Sequence, residues 1–271
     1  MAVNHRSPAA HVTLGDIDVA YRHFGRGPRL VLLHGLGQDH RIWQEIQDEM
    51  AAFETFAYDL RGHGDTWFGE ADGTLTQLGW DLIAFLEFVG PSVCVGFSLG
   101  GSIALWAASE RPDLVPGVVA VATSSVVGRV AAASMDDRIE EITQGDASTL
   151  AAILAEDTAS QLAGADVDVA ALVESRVRAV GDGRGYLNGA LAVRAMHDEH
   201  LNSRLDEIVQ PVLVVSGSVD PWCPRKAADI MLEHLADATF VELEGVGHLI
   251  TDAAPQELLD AVRTWLSREI S

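Results

Sequence analysis

Three residue types spaced along this 271-residue chain could together perform acyl transfer: a serine held between glycines, a carboxylate in a loop, and a histidine closing another loop. The serine is Ser98, in Gly96-Phe97-Ser98-Leu99-Gly100. It follows the strand-like run Val93-Cys94-Val95 and precedes Gly101 to Ala108, which reads as a helix with an apolar side. A strand that turns sharply into a helix forces its corner residue into a strained conformation. Side chains two positions away on either side would then collide with neighbouring elements, so small residues are expected there. The hydroxyl would project above the strand end. The N–H of Leu99, opening the helix, would point where a negative oxygen forms during acyl transfer.

A serine attacks only if a base removes its proton, and the base works best when a carboxylate fixes its tautomer. Asp220 lies in Gly217-Ser218-Val219-Asp220-Pro221-Trp222-Cys223-Pro224, directly after the buried-strand run Pro211 to Ser216. His248 ends Glu244-Gly245-Val246-Gly247-His248, after the strand Phe240 to Leu243. The loop after the strand Val118 to Thr123 holds no carboxylate before Asp136, and Asp220 is read as the acid.

The other histidines read differently. His34 in Leu33-His34-Gly35 and His63 in Arg61-Gly62-His63-Gly64 sit in glycine turns, where an imidazole bonds backbone. His197 and His200 are three apart, a spacing that chelates a metal when a third ligand is supplied, and no third ligand is near in sequence. His5, His11, His23, His40 and His234 fall in terminal, hairpin or surface-helix contexts. No metal and no cofactor is expected. The cluster Gly181-Asp182-Gly183-Arg184-Gly185 follows a helical pattern and lacks phosphate-loop spacing, so it reads as a hinge or turn.

The elements that must position these residues follow from periodicity. Val12 to Phe24 alternates around Gly15-Asp16 as a hairpin. Strands over Val31–His34, Phe53–Asp59, Val93–Gly96 and Gly117–Thr123 then alternate with helices over Arg41–Met50, Leu75–Val89 and Leu99–Ser109. That rhythm predicts an α/β fold with a mostly parallel sheet covered on both faces. After Thr123 it stops. From about Val126 to Leu205 there are only Ala-rich amphipathic segments, such as Thr149–Leu162, Val167–Val180 and Tyr186–His200, broken by glycines. The expected organisation is one α/β core, residues 1–125 and 206–271, with a helical cap, 126–205, inserted after the sixth strand.

Composition bounds the partners. At 48% hydrophobic the chain can bury a large core, and its length suits one domain with an insertion. Forty acidic against 18 basic residues give a formal charge of −22, which repels phosphate backbones and anionic lipid. Nucleic-acid and membrane-surface roles are disfavoured, and nothing fixes the oligomeric state. The two cysteines, Cys94 and Cys223, make no secreted-type disulfide framework and are read as free thiols. Met1 to Pro8 has no apolar signal-peptide core and no run of 18 apolar residues occurs, so a cytoplasmic location is expected.

The chain resembles the α/β-hydrolase family from about Val12 to about Leu266. The resemblance rests on Leu30 to Gly37 with its His-Gly turn, on Asp59-Leu60-Arg61-Gly62-His63-Gly64, on the serine turn, on the acid and histidine loops, and on the order Ser98, Asp220, His248. The segment from Asn188 to Val215 is similar to 3-oxoadipate enol-lactonases and related small esterases. This resemblance implies an eight-stranded α/β-hydrolase fold with an inserted cap. It further implies Ser98 as nucleophile, His248 as general base and acid, Asp220 as orienting acid, and the N–H groups of Leu36 and Leu99 as the oxyanion hole. The Asp59 to Gly64 turn would order its loop without entering the chemistry.

Hydrolysis of a small carboxylic ester or lactone through an acyl-enzyme is the expected function. A serine in that position argues against haloalkane dehalogenase or epoxide hydrolase chemistry, which need a carboxylate nucleophile. Phe97, Trp222 and Trp106, with the cap, are expected to shape an apolar pocket. An anionic enol-lactone would need a cap donor, and Arg129, Arg138, Arg176, Arg178, Arg184 and Arg194 are available. Residues 126–200 nevertheless carry those six arginines against thirteen acids, so a neutral, moderately apolar substrate is placed first and the anionic lactone second. A cofactor-free perhydrolase or acyltransferase, and a small-molecule receptor that does not turn over, remain as alternatives on the same fold.

Overall fold

The computed structural model describes residues 9–269, and the N-terminal segment Met1–Pro8, including His5, lies outside them. Eight strands form one sheet: β1 (Ala10–Leu14), β2 (Ile17–Phe24), β3 (Arg29–Leu33), β4 (Glu54–Tyr58), β5 (Val93–Phe97), β6 (Val118–Val121), β7 (Val212–Gly217) and β8 (Ala238–Leu243). Their order is β1-β2-β4-β3-β5-β6-β7-β8. β1 and β2 form the expected hairpin, with Leu14 opposite Ile17 across Gly15-Asp16, and β2 joins β4 antiparallel. Every pairing from β4 to β8 is parallel.

The central strands are apolar throughout because both faces are covered. Leu30 and Leu32 of β3, Val93 and Val95 of β5, Val119 and Val121 of β6, and Leu213 and Val215 of β7 point into one core layer. Val31 and Leu33, Cys94, Val118 and Ala120, and Val212 and Val214 point into the other. The first layer is closed by a 3₁₀ turn (His40–Trp43), α1 (Gln44–Glu49), α10 (Ile250–Ala253) and α11 (Pro255–Glu269). The second is closed by α2 (Leu75–Val89), α3 (Leu99–Glu110), α8 (Asn202–Leu205) and α9 (Arg225–His234). Trp106 belongs to this second layer, 3% exposed, where its ring fills the space beside Gly79 of α2. The expectation that Trp106 lines a pocket is therefore corrected: it is two turns along α3 from Ser98 and packs helix to helix.

Between β6 and β7 the chain forms only helices: α4 (Arg129–Gln144), α5 (Ala147–Gln161), α6 (Val169–Val180), α7 (Arg184–Ala195) and the short α8. Gly181 and Gly183, both left-handed in φ, make the turn between α6 and α7. Met135, Leu150, Leu154, Val180, Tyr186 and Ala190 give α4–α7 a small apolar cluster that packs onto Leu36. Leu201 and Leu205 instead join the layer against α3 and α9, so the return to the core begins a few residues before 206.

Candidate active site

The loops that follow β3, β5, β7 and β8 meet at the C-terminal edge of the parallel strands. Ser98 follows β5 with φ 52° and ψ −119°, a positive-φ conformation that a non-glycine residue adopts only when its surroundings enforce it. They do so through β6. The Ser98 N–H donates to the Val121 carbonyl at 2.8 Å, and the Ser98 carbonyl accepts from Thr123 Oγ1 at 2.6 Å and from the Gly101 N–H at 2.9 Å. The flanking glycines are steric necessities. A methyl group on Gly96 would lie 2.3 Å from the Gly100 carbonyl oxygen, and one on Gly100 would lie 2.6 Å from the carbonyl oxygens of Leu33 and His34.

The acid and histidine loops are joined backbone to backbone. Gly217 leaves room for the Val246 and Gly247 carbonyls, and the Val219 N–H donates to Val246 O at 3.1 Å. His248 Nδ1 then lies 2.8 Å from Asp220 Oδ2, and His248 Nε2 lies 3.1 Å from Ser98 Oγ. A carboxylate only accepts, so Nδ1 carries the hydrogen and Nε2 is left to accept from the serine hydroxyl. The other Asp220 oxygen accepts the Trp222 and Cys223 N–H groups at 2.7 and 2.9 Å. Asp220 and His248 are 4% and 3% exposed, whereas Ser98 is half-buried, so Ser98 is the member of the trio most open to a ligand. From the insertion, the Gln161 carbonyl accepts the His248 N–H at 2.7 Å.

The His-Gly turn after β3 is held by two histidine rings and by side chains from α6 and α7. His34 Nδ1 donates to Gly35 O at 2.8 Å while Nε2 accepts the Leu60 N–H at 2.9 Å. His63 Nδ1 donates to Arg61 O, and its Nε2 accepts the Gly37 N–H at 3.4 Å. Both rings must be neutral to accept, and burial pushes them to about 3 and about 4, far below an ordinary imidazole. Arg176 reaches from α6 to the Leu36 and Gly37 carbonyls at 3.5 and 3.4 Å, and Tyr186 packs over Gly37, whose φ of 73° keeps the turn tight. Neither the Leu36 nor the Leu99 N–H has an acceptor among the described residues. A methyl at Gly189 of α7 would touch both leucine side chains, at 2.7 and 3.1 Å, so the two residues meet under one glycine.

The remaining expected residues divide. Trp222 is 36% exposed, with its ring centroid 6.1 Å from that of His248 in a stacked arrangement. Phe97 is 2% exposed and sits in the core layer, 5.2 Å from the His248 ring and against Gly35. It backs the histidine from inside the sheet. Asp136 lies on α4, paired with Arg194 at 2.7 Å, and is not in the acid position. His197 donates from Nδ1 to Val127 O at 2.9 Å.

Two clusters of metal-ligand type occur among the described residues, Asp220 with Cys223 and His248, and Asp39 with His40 and Asp59. In the first, the carboxylate and imidazole are committed to each other, and burial beside Asp220 raises the Cys223 thiol and holds it protonated. In the second, Asp59 accepts the His40 ring and backbone N–H groups at 2.8 and 2.7 Å, and Asp39 is paired with Arg41. Arg61 is saturated by Asp16 and Asp81 and by two carbonyls, tying the hairpin to α2.

Reading the sequence missed Arg176, Tyr186 and Gln161 as supports. A signal was present in the helix periodicity. On α5 the buried stripe Leu150, Ile153 and Leu154 continues into Asp157, Thr158 and Gln161, and on α6 the buried face of Ala179 and Val180 includes Arg176. Polar side chains on a buried helix face need partners, and here Arg176 Nη1 donates to Thr158 Oγ1 at 3.0 Å and Gln161 Oε1 at 2.8 Å.

Comparison with known proteins fits this geometry. The sequence profile described as the Alpha/beta hydrolase family matches residues 30–261. The 3-oxoadipate enol-lactonase 2 of Acinetobacter baylyi is 27% identical over 95% of this chain and 96% of its own. The pimeloyl-[acyl-carrier protein] methyl ester esterase of Nitrosomonas europaea is 30% identical over 87% of this chain and 94% of its own. Among solved structures, a hydrolase from Pseudomonas aeruginosa superposes with a TM-score of 0.83 at 27% identity, covering 97% of this chain and 99% of that one.

Proposed function

Because the chain belongs to the alpha/beta hydrolase family, we propose that it hydrolyses a small carboxylic ester or lactone through an acyl-enzyme on Ser98. The observation that carries this reading is the continuous relay from Asp220 through His248 to Ser98, at 2.8 and 3.1 Å. Ser98 Oγ attacks the carbonyl carbon as its proton passes to His248 Nε2, and Asp220 stabilises the imidazolium that results. The carbonyl oxygen becomes negative and takes the N–H groups of Leu36 and Leu99, where losing one such donor typically costs about 3 kcal/mol. Collapse expels the alkoxide, which takes the proton from His248. In a lactone that alcohol stays tethered to the acyl group. Water, deprotonated by the same histidine, then attacks the acyl carbon and releases Ser98.

Relatives named for an enol-lactone and for a methyl ester support both substrate forms. In this reading α4–α7, within 126–205, act as a cap over the core formed by 1–125 and 206–271. Trp222 forms an accessible wall of the pocket, and Phe97 supports His248 from behind. No metal or cofactor enters the steps. A cytoplasmic site of action accords with the two free cysteines. Among the described residues no helix is long and apolar enough to cross a membrane.

The test is steady-state hydrolysis of graded p-nitrophenyl esters and a lactone panel, with Ser98→Ala as control. Repeated turnover in the wild type and none in the variant supports the reading. A single acylation event without turnover would point to the receptor alternative, and product formed only with added alcohol or peroxide would point to acyl transfer.

A further inference from the structure

The insertion is strongly acidic overall, yet one of its arginines stands over the Trp222 ring that stacks on His248. Arg178 and Arg184 pair with Glu174 and Asp182 on the surface, and Arg194 pairs with Asp136 and Asp198. Arg176 is buried and spent on the His-Gly turn and on α5. Arg138 differs from all of these. Its guanidinium lies 5.7 Å from the centroid of Trp222, the ring stacked on His248, and on another side it lies against the hydroxyl of Tyr186, the ring packed over Gly37. One residue of the insertion thus touches both walls of the site, the histidine wall and the oxyanion turn. The centroid distances of 5.7 and 6.1 Å bound the guanidinium to within about 12 Å of the catalytic imidazole.

A guanidinium offers five donors. One nitrogen, Nη1, is taken by Asp157 Oδ2 at 2.6 Å. Asp157 is also within electrostatic reach of Arg176, so two guanidinium groups share this carboxylate, while Asp252 is a second carboxylate within reach of Arg176. The Arg138 side chain is 18% exposed, enough to receive a ligand yet sheltered enough for a charge-assisted bond to count.

Building on the hydrolase reading above, we propose that Arg138 is a specificity-determining residue that binds a carboxylate borne by the substrate, several carbons from the carbonyl attacked by Ser98. The substrate class is then a half-ester or lactone of a dicarboxylic acid. Atoms spaced by bonds of about 1.5 Å cover the separation with a short aliphatic chain. Trp222 lies along it as an apolar wall.

The test compares kcat/KM for p-nitrophenyl half-esters of succinate, glutarate, adipate and suberate with that for the same compounds capped as methyl esters. The wild type is expected to prefer the free carboxylate at one or more chain lengths. Arg138→Gln should lower that anionic-to-neutral ratio by about tenfold or more, and Arg138→Lys should retain part of it, because a point charge survives without the planar fork. Asp157→Asn, which removes the internal competitor, should raise the ratio. A merely structural role, tying α4 to α5, would move both substrates together and leave the ratio unchanged, and that result overturns the proposal. So does a wild type that prefers the methyl-capped esters throughout. If the folded protein hydrolysed neither series, the hydrolase reading itself would fall, and the role of Arg138 with it.

Discussion

The two buried imidazoles that hold the His-Gly turn should each make folding less favourable as pH falls. His63 is buried with a folded value of about 4, and His34 with about 3, because desolvation disfavours the charged ring in both and each Nε2 already accepts a backbone N–H. In the unfolded chain both titrate near 6.5. The unfolded state therefore binds protons first, and the stability these rings contribute is present above pH 6.5 and is lost as pH falls toward 4 and 3. Linkage gives about 2 kcal/mol lost per ring between pH 7 and pH 5. For a domain whose total stability is of order 5–15 kcal/mol, about 4 kcal/mol from the pair is a large fraction. Burial pushes the carboxyls of Asp39, Asp81, Asp157 and Asp252 upward, which acts with the opposite sign, so the informative quantity is a difference between variants. His63→Gln supplies an amide that can accept the Gly37 N–H but does not titrate. Urea unfolding at pH 7, 6 and 5 should give a smaller loss of stability in the variant than in the wild type, by about 2 kcal/mol over that range. Parallel pH dependences in the two proteins would refute the neutral, accepting role assigned to His63.

Asp220→Asn keeps the size of the acid but removes the charge facing His248 Nδ1, and kcat for a p-nitrophenyl ester should drop by about 10³ to 10⁴ with KM nearly unchanged. Asp136→Asn, which disturbs only an exposed pair with Arg194, should leave kcat near wild type, and the reverse pattern would place the acid in the insertion. Gly100→Ala drives a methyl into the Leu33 and His34 carbonyl oxygens at 2.6 Å and should destabilise the fold by more than about 2 kcal/mol in chemical denaturation, because backbone cannot step aside. Dialysis against EDTA should leave ester hydrolysis intact, and a loss restored by a divalent cation would revive His197 and His200 as ligands.

Much of the fold was legible because the central strands are uniformly apolar and their helices strongly periodic. The helix from Leu75 to Val89 agrees with the expected bounds, and that from Leu99 extends one residue past Ser109, to Glu110. The positions of Ser98, Asp220 and His248 were legible for a different reason: each follows a strand of the sheet, and near each stands a glycine that close backbone approach requires, Gly96 and Gly100, Gly217, and Gly247. Inside the insertion, sequence was a weaker guide. α4 buries only Ala132 and Met135, so its apolar stripe is too narrow to single out. The expected helix over Tyr186–His200 ends at Ala195, where the Met196, His197 and Asp198 N–H groups bond three residues back and tighten the last turn. Summed charge is a coarse guide in the same region. The acids of 126–200 lie mostly on exposed positions, whereas Arg138 and Arg176 face inward, and a sum over residues carries no information about direction. Trp106 was misassigned because an aromatic residue near the nucleophile in sequence need not share its side of the helix.

The most direct measurement of the central claim is the mass of the protein quenched during turnover of a p-nitrophenyl ester, followed by peptide mapping. One acyl group per chain, on the peptide containing Ser98 and absent in Ser98→Ala, is the predicted result, with turnover in that variant below about a thousandth of wild type. An adduct on another residue, or hydrolysis by Ser98→Ala above that level, would contradict the assignment of Ser98 as nucleophile.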